Sequence, residues 1–206
     1  MHTSNQVRGR NNERRVLEAI GLVGWLSVTQ IAQWVWGVAN PHSSRVSAER
    51  ALKRLVSAGY VLRRESSLRM CVFVLTKAGA VRANEGLNYP LFAHGYDLSQ
   101  LDSARQRPAV NYLIEQHHNG KTVFGLAGLR RALKVGIISD ERVKGADGFI
   151  CDATTGEFKP ILVIRNNHPE LIKKAIKIKS ALGTLELIGS PALIKNFEKE
   201  MKISVS

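Results

Sequence analysis

The sequence predicts an α+β protein in two parts: a helical N-terminal part closed by a β-hairpin, then a small α/β part. Three observations predict it. Apolar residues recur at three- and four-residue spacing early in the chain, as in Val16, Leu17, Ile20 and Val23, the pattern of a helix with one buried face. Two β-branched runs, at residues 60–64 and 70–75, follow the last of these helices and read as a hairpin. Beyond residue 96, strand-like and helix-like runs alternate, which favours a layered sheet-and-helix unit.

The elements follow in order. A flexible basic N-terminus is expected over residues 1–11. A first helix is expected from about Asn12 to Leu22, stopped by Gly24. Trp25 and Leu26 leave room only for a short strand. Ser27-Val-Thr-Gln30 has the form of a capping box, and Ile31, Ala32, Trp34 and Val35 give the second helix its buried side. Residues Gly37 to Pro41 break the chain. The third helix is expected to start near Ser43 or Ser44, either of which could cap it, and to end at Gly59. Its apolar stripe is Ala48, Ala51, Leu52, Leu55 and Val56. The strands Tyr60–Arg64 and Met70–Leu75 flank a polar tip, Glu65–Arg69. Thr76 then caps a helix from Lys77 to Asn84.

Charge gives the first functional clue. The 206 residues hold 30 Lys and Arg against 17 Asp and Glu, a formal +13. Such an excess favours polyanionic partners. It is denser in front: +8 over residues 1–85 and +5 over residues 86–206. No apolar run approaches the roughly 20 residues that span a bilayer, and residues 1–12 have no secretory pattern. A soluble cytoplasmic protein without a membrane partner is expected. Cys71 and Cys151 lie far apart in apolar runs and read as buried thiols in a reducing compartment.

Helix, short strand, helix, helix, hairpin, helix is the winged helix-turn-helix order. Gly59-Tyr-Val-Leu-Arg-Arg64, followed by Val74-Leu-Thr-Lys-Ala-Gly79, resembles the wing of many bacterial winged-helix regulators. In these a leucine-threonine-x-x-glycine step leaves the second wing strand. The resemblance covers roughly residues 12–86 and implies double-stranded DNA as the partner. The expected contacts are Ser43, Ser44, Arg45, Ser47, Arg50, Lys53 and Arg54 on the third helix, and Arg63, Arg64 and Arg69 on the wing. Arg can bond guanine bidentately, and Ser can serve phosphate or base. Arg14 is a candidate auxiliary phosphate contact, as are Arg130, Arg131, Lys173, Lys174 and Lys177 further along the chain.

After a linker over residues 87–95, the α/β part is expected over residues 96–206. Ser99–His118 reads as a helix interrupted at Pro108, Lys121–Leu126 as a strand, and Gly128–Lys134 as a short basic helix with Arg130 and Arg131. Strands at Gly148–Cys151 and Pro160–Ile164 follow, joined by Thr154–Glu157. A helix Pro169–Leu182 with Lys173, Lys174, Lys177 and Lys179, a strand Thr184–Ile188 and a helix Pro191–Met201 complete the chain. These lysines fit a solvated face or phosphate contacts equally well.

A basic helix, then Ala146-Asp-Gly-Phe-Ile150, a buried strand and a lysine-bearing helix resemble the nuclease-like domain of the plasmid replication-relaxation and MobC-like mobilisation proteins. Those proteins also begin with a winged helix. The resemblance implies a restriction-endonuclease-like fold whose carboxylates would hold a divalent metal. Asp147 matches the first acidic position, but Arg165 and Asn167 fall where the family carries Glu and Asp. Mg²⁺ wants oxygen ligands, and Arg places a permanent cation there. The expectation is a degenerate domain that dimerises or adds affinity, with no metal, no cofactor and no catalysis. The alternative is a metal-dependent nickase or relaxosome accessory protein using Asp147, with Asp140, Glu141, Asp152 and Glu157 as a displaced ligand set. A homodimer is expected, and no small-molecule effector is assigned.

Other motifs are weaker. Gly120-Lys-Thr122 lacks the first glycine and preceding strand of a phosphate loop. Gly125-Leu-Ala-Gly128 reads as a turn, His117-His118 as a solvated helix end, and Tyr60, Tyr89, Tyr96 and Tyr112 as core or rim residues.

Overall fold

The computed structural model describes residues 4–65, 69–88, 91–92, 94, 103–134, 136, 145–152, 154–155 and 157–204. It is a mixed α+β structure. The N-terminal elements are α1 (Ser4–Val23), α2 (Val28–Trp36), α3 (Pro41–Ser57), β1 (Val61–Glu65), β2 (Cys71–Leu75) and α4 (Lys77–Asn84). Then come α5 (Ser103–His118), β3 (Thr122–Gly125), α6 (Leu126–Lys134), β4 (Gly148–Cys151), β5 (Phe158–Val163), α7 (Pro169–Leu182), β6 (Glu186–Ile188) and α8 (Pro191–Ile203).

Local chemistry sets the boundaries. The Ser27 hydroxyl accepts from the Gln30 backbone N–H while the Gln30 side chain accepts from that of Ser27, so the capping box is complete. α3 begins earlier than its serines suggest. The Asn40 side chain accepts from the Ser43 N–H, and Pro41 occupies the first helical turn, where its missing donor costs nothing. α1 begins at Ser4, within the stretch expected to be flexible. α5 runs through Pro108 rather than breaking there.

β1 and β2 pair antiparallel, with Arg63 opposite Phe73 and Glu65 opposite Cys71. Leu26 bridges Phe73 on the other side of β2, with backbone bonds of 3.2 and 2.9 Å. β2 is thus flanked on both sides. Thr76 ties this unit together. Its hydroxyl donates to the Gly59 carbonyl at 2.7 Å and accepts from the Gly79 N–H at 2.9 Å. A Cβ on Gly79 would lie 1.9 Å from the Tyr60 carbonyl oxygen. The threonine and glycine of the leucine-threonine-x-x-glycine step therefore have defined work: one joins the hairpin to α4, the other lets α4 approach β1.

The second sheet has the order β3-β4-β5-β6. Its first three strands are antiparallel neighbours, and β6 returns parallel to β5 across the α7 crossover. β5 is buried on both faces. Ile161 and Val163 join a core with Val16, Ile20, Leu52 and Leu113, whereas Leu162 and Ile164 pack with Ile172, Ala175 and Phe197. The first core runs without a break from α1–α3 into α5 and the sheet.

Side-chain bonds cross the same boundary. Trp25 Nε1 donates to Gln106 Oε1 at 3.1 Å, and Gln30 Nε2 to Asn111 Oδ1 at 3.0 Å. Gly125 and Gly128, expected as a turn, instead admit the end of α1. Added Cβ atoms would lie 2.7 Å from Val23 Cα and 2.4 Å from the Leu22 carbonyl oxygen. His117, expected in solvent, stacks on Trp34 at 4.6 Å, and His118 Nε2 bonds the Gln33 carbonyl at 2.8 Å. Within residues 87–95, Phe92 is buried against Gly21 and shares two hydrogen bonds of 2.8 Å with the Asn84 amide.

Candidate nucleic-acid interface

α3 buries Ser44, Ala48, Ala51, Leu52 and Leu55. That stripe fixes which residues remain outside. Ser43, Arg45, Arg50, Lys53 and Arg54 are exposed and Ser47 is half-buried. Ser44, at 6% exposure, is a correction to the predicted contact set. It lies four residues before Ala48 and shares its inward face.

The outward side chains differ in availability. Arg45 bonds Glu49 at 3.0 Å, so the single acid on this helix is paired. Arg54 is ion-paired with Glu13 of α1. Among the described residues, Arg50 and Lys53 have no side-chain partner. Together they leave an exposed ridge with two unpaired cations and two accessible hydroxyls.

Gly59, with φ of +74°, turns the chain from α3 directly into β1. The Tyr60 N–H still bonds the Leu55 carbonyl at 2.9 Å. The exposed residues of β1, Arg63, Arg64 and Glu65, therefore follow within eight positions of the α3 end at Ser57. Arg63 Nε lies 2.9 Å from Cys71 Sγ. Arg64 and Arg69 have no side-chain partner among the described residues. Arg69 is the one non-glycine described residue with positive φ, 54°, a conformation that costs of order 1 kcal/mol. Residues 66–68, the rest of the expected tip, lie outside the described residues.

The auxiliary candidates scatter. Arg14 bonds Glu18 at 2.8 Å. Arg130 is exposed and Arg131 half-buried on α6. On α7, Lys173 bonds Glu170 at 3.0 Å, Lys174 is half-buried against Gly145, and Lys177 is exposed.

Asp147 has a structural duty. It is 6% exposed, its carboxylate accepts from the Val163 N–H at 2.9 Å, and its own N–H bonds Ile161 at 2.8 Å. It thereby locks β4 to the end of β5. Arg165 and Asn167 are exposed beyond that end. Among the described residues, no three His, Cys, Asp or Glu side chains come together. This donor set does not fit a divalent metal, which prefers several carboxylate or carbonyl oxygens.

Of the displaced set, Asp140 and Glu141 lie outside the described residues. Asp152 is ion-paired with Lys121 and accepts from the Thr154 N–H. Its carboxyl is held down at about 2, first by the Lys121 hydrogen bond and then by Thr154. Tyr112 is pushed up to about 12 by burial and by Glu186, so its phenol stays protonated. Tyr89 and Tyr96 lie outside the described residues. Cys71 and Cys151 are free and half-buried rather than buried.

No helix among the described residues is long and apolar enough to cross a membrane. No protein-family model, curated protein or solved structure matches this chain.

Two features escaped sequence reasoning. The first is the Glu13 to Arg54 pair, which joins α1 to the outward side of α3 across 41 positions in sequence. The second is the helical state of residues 4–11. The polar residues 1–11 carry no apolar periodicity that signals a helix.

Proposed function

We propose that this protein is a sequence-selective, double-stranded DNA-binding protein of winged-helix type. It would act as a transcriptional regulator or as a plasmid or mobile-element maintenance factor. α3 enters the major groove, with Arg50 and Ser47 at base edges and Ser43 and Lys53 toward phosphates. Arg63, Arg64 and Arg69 meet the flanking backbone. One observation carries the reading: the unpaired cationic ridge of α3 is followed directly by an arginine-bearing hairpin. Fold alone does not give function; the site does.

The α/β part serves as a non-catalytic scaffold that supports a homodimer. Three antiparallel strands and a parallel crossover are compatible with the nuclease-like ancestry suggested by the Ala146–Ile150 resemblance. The Asp147 bond to Val163 favours a structural role over nicking. Two-fold symmetric sites are the usual partners of such regulators.

The test is selection of bound duplexes from a random-sequence pool at about physiological salt, where the phosphate contribution is moderated. A recovered motif is expected, and a palindromic one if a dimer binds. Tight binding without enrichment would remove sequence selectivity from the reading. A monomer in sedimentation with and without DNA would remove the dimer.

A further inference from the structure

We infer that the leading turns of α1 grip the sugar–phosphate backbone of duplex DNA beside the groove occupied by α3; this rests on the DNA-binding reading above. Residues 1–12 contain Arg8 and Arg10 and no acid. Both arginines are exposed and have no side-chain partner among the described residues. They belong to a continuous helix from Ser4 to Val23, so they are carried on a rigid rod.

The rod is aimed. Glu13, the first acid on α1, is ion-paired with Arg54 on the outward side of α3. At about 1.5 Å of rise per residue, Arg10 and Arg8 stand roughly 5 and 8 Å further along the axis. Arg10 also borders a crevice of about 440 Å³ between α1, the end of α3 and α4, together with Arg14, Arg82 and Tyr60. The acids bordering it are engaged: Glu13 by Arg54 and Glu85 by Arg82. Among the described residues, the one cation bordering it that has no side-chain partner is Arg10, and Arg8 lies half a turn further along the same helix.

Guanidinium groups match phosphate oxygens in a planar fork. A pre-formed helix presents them with less ordering cost than a flexible tail would. Arg8 and Arg10, two positions apart, project from opposite sides of the helix, so the rod reaches the backbone of the same duplex with one guanidinium on each side of its axis.

The test compares the salt dependence of binding to one fixed duplex for the full chain and two double variants. Arg8→Ala/Arg10→Ala should lower the magnitude of the log–log salt slope by about 1–2, about one unit for each arginine that meets a phosphate. Affinity near physiological salt should fall about tenfold or more, and the selected sequence motif should stay the same. Arg8→Lys/Arg10→Lys should keep the slope. Lys195→Ala/Lys199→Ala on α8, with the same change in net charge, should leave the slope as it is. Equal slopes for the full chain and the Arg8/Arg10 alanine variant would overturn the inference, as would equal losses in the α8 variant. Both outcomes leave the α3 reading standing. A full chain that binds no duplex at any salt would end the underlying reading itself.

Discussion

α3 and α7 begin alike and differ in what their basic side chains can do. Each starts with Pro after a capping side chain, Asn40 or His168, and each buries one apolar stripe. Each also shows several cations outward. On α7, Lys173 is tied to Glu170 and Lys174 lies along Gly145, Lys177 and Lys179 are exposed without side-chain partners among the described residues, and the helix ends in left-handed Gly183 before β6. On α3, the acid is bound by Arg45, Arg50 and Lys53 are left without partners among the described residues, and the chain turns at once into an arginine-bearing hairpin. The difference teaches that counting lysines and arginines on a helix is a poor guide to an interface. Each helix leaves two exposed cations unpaired among the described residues, and what separates them is what the next element presents: an arginine-bearing hairpin after α3, a half-buried strand after α7.

The largest effect is expected from breaking the frame that holds α3 against the hairpin. In Gly79→Ala the new Cβ meets the Tyr60 carbonyl oxygen. A loss of about 3 kcal/mol is expected, at the upper end for overpacking, or roughly 6–12 °C in Tm for a chain of this size. Thermal melts by circular dichroism check it. An unchanged Tm would mean that α4 does not depend on this approach.

Next comes the comparison itself. Arg50→Ala should weaken specific duplex binding by about 1–3 kcal/mol, while Lys177→Ala on α7 should change it far less. Fluorescence anisotropy on a selected and a random duplex separates the cases. An equal loss on both duplexes would make Arg50 a backbone contact, and a larger loss for Lys177→Ala would reverse the assignment of faces.

Asp147→Ala tests the scaffold side. It leaves the buried Val163 N–H without its acceptor, a loss of about 1–3 kcal/mol. The urea midpoint should fall equally with and without Mg²⁺. Unchanged stability, with loss of Mg²⁺-dependent nicking of supercoiled DNA, would favour the enzyme instead.

The smallest effect concerns the stack between α2 and α5. Burial, then His118, then Arg15 lower the pKa of His117 from its ordinary 6.5. The unfolded chain therefore binds this proton more readily than the folded one. Stability from this residue is complete above about pH 6.5 and is lost as pH falls toward the lowered folded value. His117→Phe should flatten that decline in Tm between pH 7.5 and 5. An identical pH profile in the variant would assign the decline to other groups.

Much of the N-terminal architecture was legible because its signals are local. The Ser27 capping box, the Gly24 stop, the alternation of helix and hairpin and the Thr76 cap each depend on residues a few positions apart. The site was legible only in part. The heptad-like stripe of α3 placed Arg50 and Lys53 outward, but an α3 start at Ser43 or Ser44 obscured Ser44's inward position. Asn40 and Pro41 capture the helix one turn earlier.

By itself the sequence determined the α+β class, the order of the elements and the concentration of positive charge in the first 85 residues. These follow from local periodicity, capping chemistry and composition. The tertiary structure alone decided that Arg54 is tied to Glu13, that Asp147 bonds Val163, that His117 lies on Trp34, and that Gly125 and Gly128 receive the end of α1. Each joins residues far apart in the chain. No local pattern encodes such a meeting, because packing of the whole chain brings the partners together and pairs Arg54 while its neighbour Lys53 has no side-chain partner among the described residues.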